Sequence, residues 1–194
     1  MLRNVCVFCG SSNGTHPGYV QAAQQVGQLL SQRKIGLVYG GADVGLMGQM
    51  ADACLNKGGR VVGVIPKTLV AKEIAHRGLT ELHVVESMHE RKALIADLAD
   101  AFIALPGGYG TWDEFCEVLT WSQLGLHRKA CALLNVNGYY DSLLAMAARA
   151  TEDGFLRDVH RDLLLSDTDP GRLLDRFNCY AVPVVDKWLD RSTR

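Results

Sequence analysis

Short apolar runs, most of them followed by an amphipathic helical stretch, repeat along this chain. Six runs predict strands, at residues 5–9, 36–39, 60–65, 82–85, 101–105 and 130–135. Five stretches with helical periodicity accompany them, at residues 17–33, 44–56, 88–98, 112–124 and 139–151. Several strand runs are apolar throughout rather than alternating, which is typical of a parallel sheet covered on both faces. The pattern predicts an α/β protein with a Rossmann-like, doubly wound, mostly parallel sheet and helices on both faces.

The length of 194 residues predicts one domain, spanning residues 1–194, that is large enough to bury a core. After Asp153 the pattern becomes helical and irregular, and Asp169-Pro170-Gly171 predicts a further helix start. No linker, low-complexity segment or internal repeat divides the sequence.

Charge and hydropathy narrow the class of partner. The chain has 20 Lys and Arg against 21 Asp and Glu, so nothing favours nucleic acid or an anionic membrane as a ligand. Its first eight residues lack the long apolar run of a signal peptide, and no stretch reaches the length of a membrane span. We therefore expect a cytoplasmic protein that binds neither nucleic acid nor a membrane.

Cys6 and Cys9 form a C-x-x-C pair, a pattern that elsewhere indicates redox or metal chemistry. Here both lie in or at the end of the first predicted strand, where side chains three residues apart point to opposite faces. No second cysteine pair follows, and the six histidines show no H-x-x-x-H pairing. We therefore expect no metal site, and interpret the cysteines as small apolar core residues in a reducing compartment.

Three predicted strands lead directly into loops rich in glycine or serine. The loops are residues 9–14 (CGSSNG), 39–48 (YGGADVGLMG) and 105–111 (LPGGYGT). In an open α/β sheet such loops meet at the carboxyl edge, where helix N-termini bind phosphate groups. The chain lacks both G-x-G-x-x-G after the first strand and G-x-x-x-x-G-K-[ST], which disfavours a standard NAD site and a P-loop NTPase. The leading ligand class is a nucleotide or a phosphosugar.

Two predicted helix starts have the capping-box pattern, a Ser or Thr N-cap with Glu three residues later. The pairs are Thr111 with Glu114 and Ser87 with Glu90. Glu114 is a structural cap, a carboxylate beside Asp113 at the floor of a phosphate-lined cleft, or both, since its cap would fix it in place. Arg91 and Lys92 follow within the first two turns of their helix, where cations oppose the dipole. They form either a solvated surface pair or part of a site, in which an anion or a carboxylate such as Glu114 offsets the dipole.

These motifs resemble, in order and spacing, those of the LOG ("Lonely Guy") family of nucleotide hydrolases. The matching segments are residues 39–48 against Y-G-G-G-x-x-G-L-M-G, 88–92 against M-H-x-R-K, 106–114 against P-G-G-x-G-T-x-x-E, and 66–69 with Glu73 against the loop between the third and fourth strands. In the first segment Ala42 stands where a third glycine is usual and Asp43 where serine is common. The resemblance runs from Val5 to about Asn135.

The resemblance implies a phosphoribohydrolase that acts on a purine nucleoside 5'-monophosphate, either a cytokinin riboside monophosphate or AMP, and needs no metal or organic cofactor. It assigns the catalytic roles to Arg91 and Glu114. The implied substrate contacts are Glu73, Lys92, Gly107, Gly108, Tyr109, Gly110, Thr111, Trp112, Asp113, Thr120, Gly40 and Gly41. An older name for such proteins, lysine decarboxylase, is not expected to apply, because nothing here resembles a pyridoxal-phosphate lysine site.

In this interpretation Glu114 stabilises the positive charge of an oxocarbenium-like state and orients or deprotonates the attacking water. Arg91 keeps Glu114 ionised or neutralises the phosphate, and Glu73 accepts hydrogen bonds from the base. The alternative function is a non-catalytic nucleotide-binding or signalling module. A third possibility is a Rossmann-like scaffold that binds no ligand. The Arg91–Glu114 pair discriminates among them, because a sensor does not need it.

The resemblance further implies a homodimer built through helices, with active sites near the interface. An apolar stripe on the second predicted helix has the spacing i, i+3, i+4, i+7. Its members are Met47, Met50, Ala51 and Cys54. Simple core packing against the sheet explains this stripe well.

Overall fold

A seven-stranded parallel sheet forms the centre of the computed structural model, which describes residues 2–70 and 74–181. The strands are β1 (Asn4–Phe8), β2 (Gly36–Tyr39), β3 (Val61–Pro66), β4 (Glu81–Val85), β5 (Ala101–Ala104), β6 (Ala130–Leu134) and β7 (Leu164–Asp167). Their order across the sheet is β4-β3-β2-β1-β5-β6-β7, and every neighbouring pair is parallel. The predicted fold class is therefore confirmed.

Helices connect the strands and cover both faces of the sheet. They are α1 (Pro17–Gln32), α2 (Gly45–Leu55), α3 (Lys67–Val70), α4 (Met88–Leu98), α5 (Tyr109–Gln123), α6 (Asp141–Glu152), α7 (Asp158–Arg161) and α8 (Pro170–Asn178), with a 3-10 turn at Val136–Gly138. Within the two described ranges, no helix combines the length and the apolar character needed to cross a bilayer.

Alternate residues of each central strand pack against different helices. On one face Val5 and Val7 join side chains of α1, α2 and α8, and on the other Cys6 and Phe8 join side chains of α4, α5 and α6. Cys9 lies in the first of these clusters and Cys6 in the second, so the expectation that they point to opposite faces is confirmed. Because both faces are covered, the central strands are apolar throughout, as their sequences predict.

The order of the strands determines where a ligand can bind. The chain moves outward from β1 to β4 and then returns to the other side of β1 with β5. The loops after the adjacent strands β1 and β5 therefore lead in opposite directions and leave a crevice between them. Ligands usually bind in this crevice in open α/β sheets. A hydrogen bond of 3.0 Å from Gly10 N–H to the Pro106 carbonyl joins these two loops.

The main differences from the predicted elements lie late in the chain. The strand β7 was not predicted, because its sequence Leu164-Leu165-Ser166-Asp167 is short, half polar and at the sheet edge. The predicted helix start at Asp169 is confirmed, since its Oδ1 accepts a 2.8 Å hydrogen bond from Arg172 N–H.

The apolar stripe of α2 belongs to the core. Met50, Ala51 and Cys54 are fully buried between α1 and the sheet, whereas Met47 is partly buried. The core-packing interpretation of this stripe is therefore confirmed, and any contact between copies of the chain must use another surface.

Candidate active site

The first turn of α5 is exposed at the carboxyl edge of the sheet. Gly108 is the N-cap, no side chain caps the helix, and the first backbone hydrogen bond joins Trp112 N–H to the Gly108 carbonyl at 3.1 Å. The N–H groups of Tyr109, Gly110 and Thr111 therefore lack acceptors within the helix. A Cβ at Gly108 or Gly110 would meet no atom within 4 Å, so the space before them is open. Such a terminus attracts anions.

The predicted capping box at Thr111 and Glu114 is wrong, because the helix begins three residues earlier than that pattern requires. Thr111 is buried in the first turn, and a Cβ on Gly107 would lie 2.1 Å from its Oγ1. The missing side chain of Gly107 thus lets the chain enter the helix at Tyr109. Glu114 is the sixth residue of α5 rather than N3, so its carboxylate does not cap the helix.

The predicted capping box at the start of α4 is confirmed in its main hydrogen bond. Ser87 Oγ accepts from Glu90 N–H at 3.2 Å. The return bond differs from the prediction, since Glu90 Oε2 accepts from Glu86 N–H at 2.8 Å rather than from Ser87. This cap fixes the first turns of the helix and, with them, the position of Arg91.

Arg91 and Glu114 form a buried ion pair between α4 and α5. Arg91 Nη1 lies 2.9 Å from Glu114 Oε1, and each side chain is only 11% exposed. Arg91 Nε also donates to the Val64 carbonyl at 3.1 Å. Arg91 is therefore not a solvated surface residue, and Glu114 supplies the carboxylate that offsets the unfavourable helix dipole.

Gly40 makes room for this ion pair. A Cβ at this position would lie 2.2 Å from Arg91 Nη2 and 3.4 Å from Met47 Sδ. Any larger residue at position 40 would displace the guanidinium from Glu114, which explains why a glycine follows β2 directly.

Burial raises the pKa of the Glu114 carboxyl above its ordinary range, although the positive charges of Arg91 and Lys92 counteract this effect. The negative charges of Asp113 and Glu117 contribute to the increase. Glu114 therefore keeps its proton to a higher pH than an exposed glutamate does. A carboxyl whose pKa is shifted by burial beside a specific charge partner is typical of a catalytic site.

Lys92 stands beside the ion pair but faces the acidic side of α5. Its Nζ lies 2.7 Å from Asp113 Oδ2 and 3.2 Å from Glu117 Oε2. Burial lowers the pKa of Lys92, but these hydrogen bonds outweigh that effect and leave the pKa raised. The ammonium group is therefore a fixed positive charge near Glu114, and its predicted contact with the substrate stays a prediction.

The ion pair and the start of α5 face one cleft of about 420 Å³, a volume suited to a small-molecule ligand. The cleft is lined by Cys9, Gly10, Ser11, Gly40, Ala42, Val44, Met47, Leu69, Ile74, Arg91, Gly108, Tyr109, Gly110, Thr111 and Glu114. One part of this lining is charged or offers backbone N–H groups. The other part is apolar and comes from the β2–α2 loop and from the segment after β3.

A second cavity of about 340 Å³ adjoins the cleft and shares Gly10, Ser11 and Gly108 with it. Tyr19 and Tyr139 contribute aromatic rings that meet edge-on, with centroids 5.9 Å apart. The second cavity reaches the N-cap residue Gly108, whereas Tyr109, Gly110 and Thr111 line only the first cleft.

The structure brings five of the predicted substrate contacts to the cleft, namely Gly40, Gly108, Tyr109, Gly110 and Thr111. Gly107 lines the second cavity instead, and Gly41 adopts a left-handed backbone (φ +76°) in the β2–α2 loop. Three others are exposed on α5 outside the cleft lining, namely Trp112, Asp113 and Thr120. The Thr120 hydroxyl donates to the Cys116 carbonyl at 2.7 Å. Glu73 lies outside the described residues.

Sequence reasoning missed the apolar part of the cleft, formed by Val44, Met47, Leu69 and Ile74. Met47 had a signal as part of the α2 stripe, but that pattern predicts only burial. Ile74 had none, because a single apolar residue in a loop indicates no particular neighbour.

Removal of the Arg91 charge is expected to raise the pKa of Glu114 further, because a nearby cation stabilises the carboxylate. Lys92→Gln should raise it less than Arg91→Gln, and Asp113→Asn should lower it, because the Asp113 charge opposes ionisation. A ¹³C NMR titration of the glutamate carboxyl carbons measures all three changes. An unchanged midpoint in Arg91→Gln would mean that the ion pair does not persist in solution.

Comparisons with known proteins show the family to which the chain belongs. A family model described as "Possible lysine decarboxylase" matches residues 47–177. A probable cytokinin riboside 5'-monophosphate phosphoribohydrolase of Oryza sativa subsp. japonica is 52% identical over 183 residues, covering 94% of this chain and 80% of the relative. A cytokinin riboside 5'-monophosphate phosphoribohydrolase of Rhodococcoides fascians is 55% identical over 164 residues, covering 84% of this chain and 83% of the relative.

Among solved structures, a molybdenum cofactor binding protein from Rippkaea orientalis is similar with a TM-score of 0.70. That alignment covers 92% of this chain and 97% of the other, at 20% sequence identity, and so shows a shared fold alone. The family itself is shown by the sequence matches. The chain therefore belongs to the LOG family of cytokinin riboside 5'-monophosphate phosphoribohydrolases, whose family model has the description "Possible lysine decarboxylase".

Proposed function

We propose that this protein, as a single nucleotide-binding domain, hydrolyses the N-glycosidic bond of purine nucleoside 5'-monophosphates and releases the free base and ribose 5-phosphate. The names of relatives that are 52% and 55% identical support this reaction. The observation that carries the proposal is the buried Arg91–Glu114 ion pair, because it faces the same cleft as the uncapped start of α5.

The 5'-phosphate binds at the start of α5. Three N–H groups without helical acceptors, on Tyr109, Gly110 and Thr111, point toward this position. The helix dipole adds about half a positive charge at the same end. Because Gly108 and Gly110 carry no Cβ, phosphate oxygens can approach the backbone closely.

Glu114 acts at C1' of the ribose. As the C1'–N9 bond breaks, its electron pair leaves with the base and positive charge develops on the sugar, where a carboxylate stabilises it. A water oxygen then forms the new bond to C1', and the proton that the water loses ends on the base. Glu114 orients this water and accepts its proton on the way.

Arg91 makes this role of Glu114 possible at neutral pH. Burial disfavours the carboxylate, and the guanidinium 2.9 Å away counteracts part of this effect on the Glu114 pKa. The bond from Arg91 Nε to the Val64 carbonyl fixes the direction of the pair. Lys92 adds a second positive charge that is itself held by Asp113 and Glu117.

The purine base rests on the apolar side of the cleft, formed in part by Val44, Leu69 and Ile74. Hydrogen bonding of the base to Glu73 stays a prediction, as do the proposed contacts with Lys92 and Thr120. The reaction as written needs no metal or organic cofactor. A cytoplasmic location is consistent with six free cysteines, of which four are buried.

Two other functions fit the cleft less well. A pyridoxal-phosphate decarboxylase needs a lysine that forms a Schiff base, and no described residue that lines the cleft is a lysine. A non-catalytic nucleotide-binding module needs the start of α5 but has no use for a buried carboxylate whose pKa is shifted. The substrate test below separates this module from a hydrolase.

We also propose that the protein is a homodimer built through α5. An exposed stripe follows the helix at spacings of three or four residues, and places one face of α5 in solvent. Its members are Tyr109, Trp112, Cys116, Thr120 and Leu124. Because Tyr109 also lines the cleft, an interface on this face would lie beside the active site.

Incubation with AMP, isopentenyladenosine monophosphate and adenosine is expected to release free base from the two monophosphates and little from adenosine. The reason is that the start of α5 binds the phosphate, which adenosine lacks. Chromatography of the free base measures the three rates. Equal cleavage of adenosine and AMP would contradict the phosphate position, and binding of AMP without any cleavage would favour the binding module.

The variant Glu114→Gln is expected to lose at least about a hundredfold in kcat, because it removes the charge that stabilises the oxocarbenium-like state. Its amide oxygen can still accept a hydrogen bond from Arg91, so the fold and the AMP affinity should be kept, although the melting temperature should fall because the buried guanidinium loses its charge partner. Arg91→Ala should be similarly damaging, whereas Asp113→Asn, exposed on the same helix, should be milder. Parental turnover in Glu114→Gln would end the catalytic assignment.

Light scattering at micromolar concentration is expected to give the mass of a dimer for the parent. Trp112→Glu and Leu124→Glu should shift the mass toward a monomer, because each places a charge in the exposed stripe of α5. Met146→Glu is the matched control, since Met146 is also apolar and, at 71%, more exposed than either residue, but lies on α6. A monomer mass for the parent would refute the dimer.

A further inference from the structure

One wall of the cleft comes from a short segment that precedes β4, at residues 74–79. Its first residue, Ile74, lines the cleft together with Leu69. Two backbone hydrogen bonds join it to the β2–α2 loop, from Asp43 N–H to the Ile74 carbonyl at 2.8 Å and from His76 N–H to the Gly41 carbonyl at 2.9 Å. This contact is an isolated antiparallel bridge, which by itself is a weak attachment.

The side chain of His76 provides the stronger attachment. It is only 7% exposed, and its Nδ1 accepts a hydrogen bond from Gly78 N–H at 3.0 Å. Because Nδ1 is an acceptor, Nε2 carries the proton of the neutral ring. Nε2 lies 3.2 Å from Asp52 Oδ1 on α2 and therefore donates to it. The ring thus connects the segment to a helix that is anchored in the core.

The same groups are close enough to hold a cation, since ligand atoms of Asp43, Asp52 and His76 all lie within 4.8 Å of one another. A metal ion would need a lone pair on the nitrogen that faces the carboxylates. That nitrogen is Nε2, whose proton is already directed at Asp52, because Nδ1 accepts from Gly78. The hydrogen bonds therefore favour a structural connection over a metal site.

We propose that His76 is a positioning residue, which connects residues 74–79 to α2 through Asp52 and so fixes the apolar wall against which the purine base rests. This inference depends on the proposed function, because it assigns the base to the side of the cleft formed by Leu69 and Ile74. His76 lies outside the cleft lining and acts through Ile74. It should therefore affect ligands that carry a base and leave ribose 5-phosphate unaffected.

Two substitutions separate the hydrogen bonds of the ring. His76→Asn keeps an acceptor near the position of Nδ1 but does not reach Asp52, whereas His76→Gln reaches farther and keeps a donor for Asp52. Asp52→Ala removes the acceptor on α2 at an exposed helical position, so it leaves the fold intact. Arg77→Asn, at the exposed neighbouring residue, is the matched control.

Calorimetry in a Glu114→Gln background measures binding of AMP and of ribose 5-phosphate without relying on turnover. We expect His76→Asn and Asp52→Ala each to weaken AMP binding about tenfold, the effect of one lost hydrogen bond to a charged group. Ribose 5-phosphate should bind to each of these variants as it does to Glu114→Gln alone. His76→Gln and Arg77→Asn should bind both ligands with the affinity of Glu114→Gln alone. The double variant His76→Asn/Asp52→Ala should bind AMP as tightly as either single variant does, because both changes remove the same hydrogen bond.

Equal weakening of AMP and ribose 5-phosphate would show a general structural role and overturn the proposal. Parental AMP affinity in His76→Asn and Asp52→Ala would overturn it as well. If the parent binds AMP but does not cleave it, the proposed hydrolysis fails while the role of His76 is still decided by these affinities. If AMP does not bind to the parent, both proposals fail together.

Discussion

The ion pair between Arg91 and Glu114 is the constraint on which the rest of the site depends. Two charges with 11% exposure each are costly to remove from water, and their mutual attraction offsets this cost only when the geometry is good and further hydrogen bonds are made. The protein meets these conditions with the Val64 carbonyl and with a glycine at position 40, which allows the guanidinium to lie against the backbone. Such an arrangement is weak evidence for stability, and its position in a cleft indicates function instead.

The two helices that carry the pair are started in different ways, and the difference suits their roles. The helix α4 has a side-chain cap at Ser87, which fixes Arg91 close to the beginning of the helix. The helix α5 has only Gly108 as its N-cap, so its first N–H groups remain available to an anion. Arg91 and Lys92 oppose the dipole of α4, and carboxylates of α5 compensate for this. The cations of α4 and the carboxylates of α5 therefore neutralise each other.

The residues on the apolar side of the cleft are held in position differently from those on the charged side. Charged groups are positioned by direct hydrogen bonds between α4, α5 and β3, whereas Ile74 is positioned by its neighbours in the chain. Those neighbours are attached to the core through a buried histidine and the exposed carboxylate of Asp52. The apolar wall proposed to contact the base is thus held separately from the Arg91–Glu114 pair, so substitutions in one need not disturb the other.

Hydrophobic periodicity by itself determined the fold class, six of the seven strands and the gathering of glycine-rich loops at one sheet edge, because burial on both faces leaves continuous apolar runs. The motif resemblance singled out Arg91 and Glu114, which the structure brings together as an ion pair. Tertiary structure decided the rest. The helix α5 starts at Tyr109 rather than after Thr111, because Thr111 packs against Gly107, a contact that local capping rules do not include. The attachment of His76 to Asp52 joins residues 24 positions apart, and only the packing of the segment before β4 against α2 brings them together.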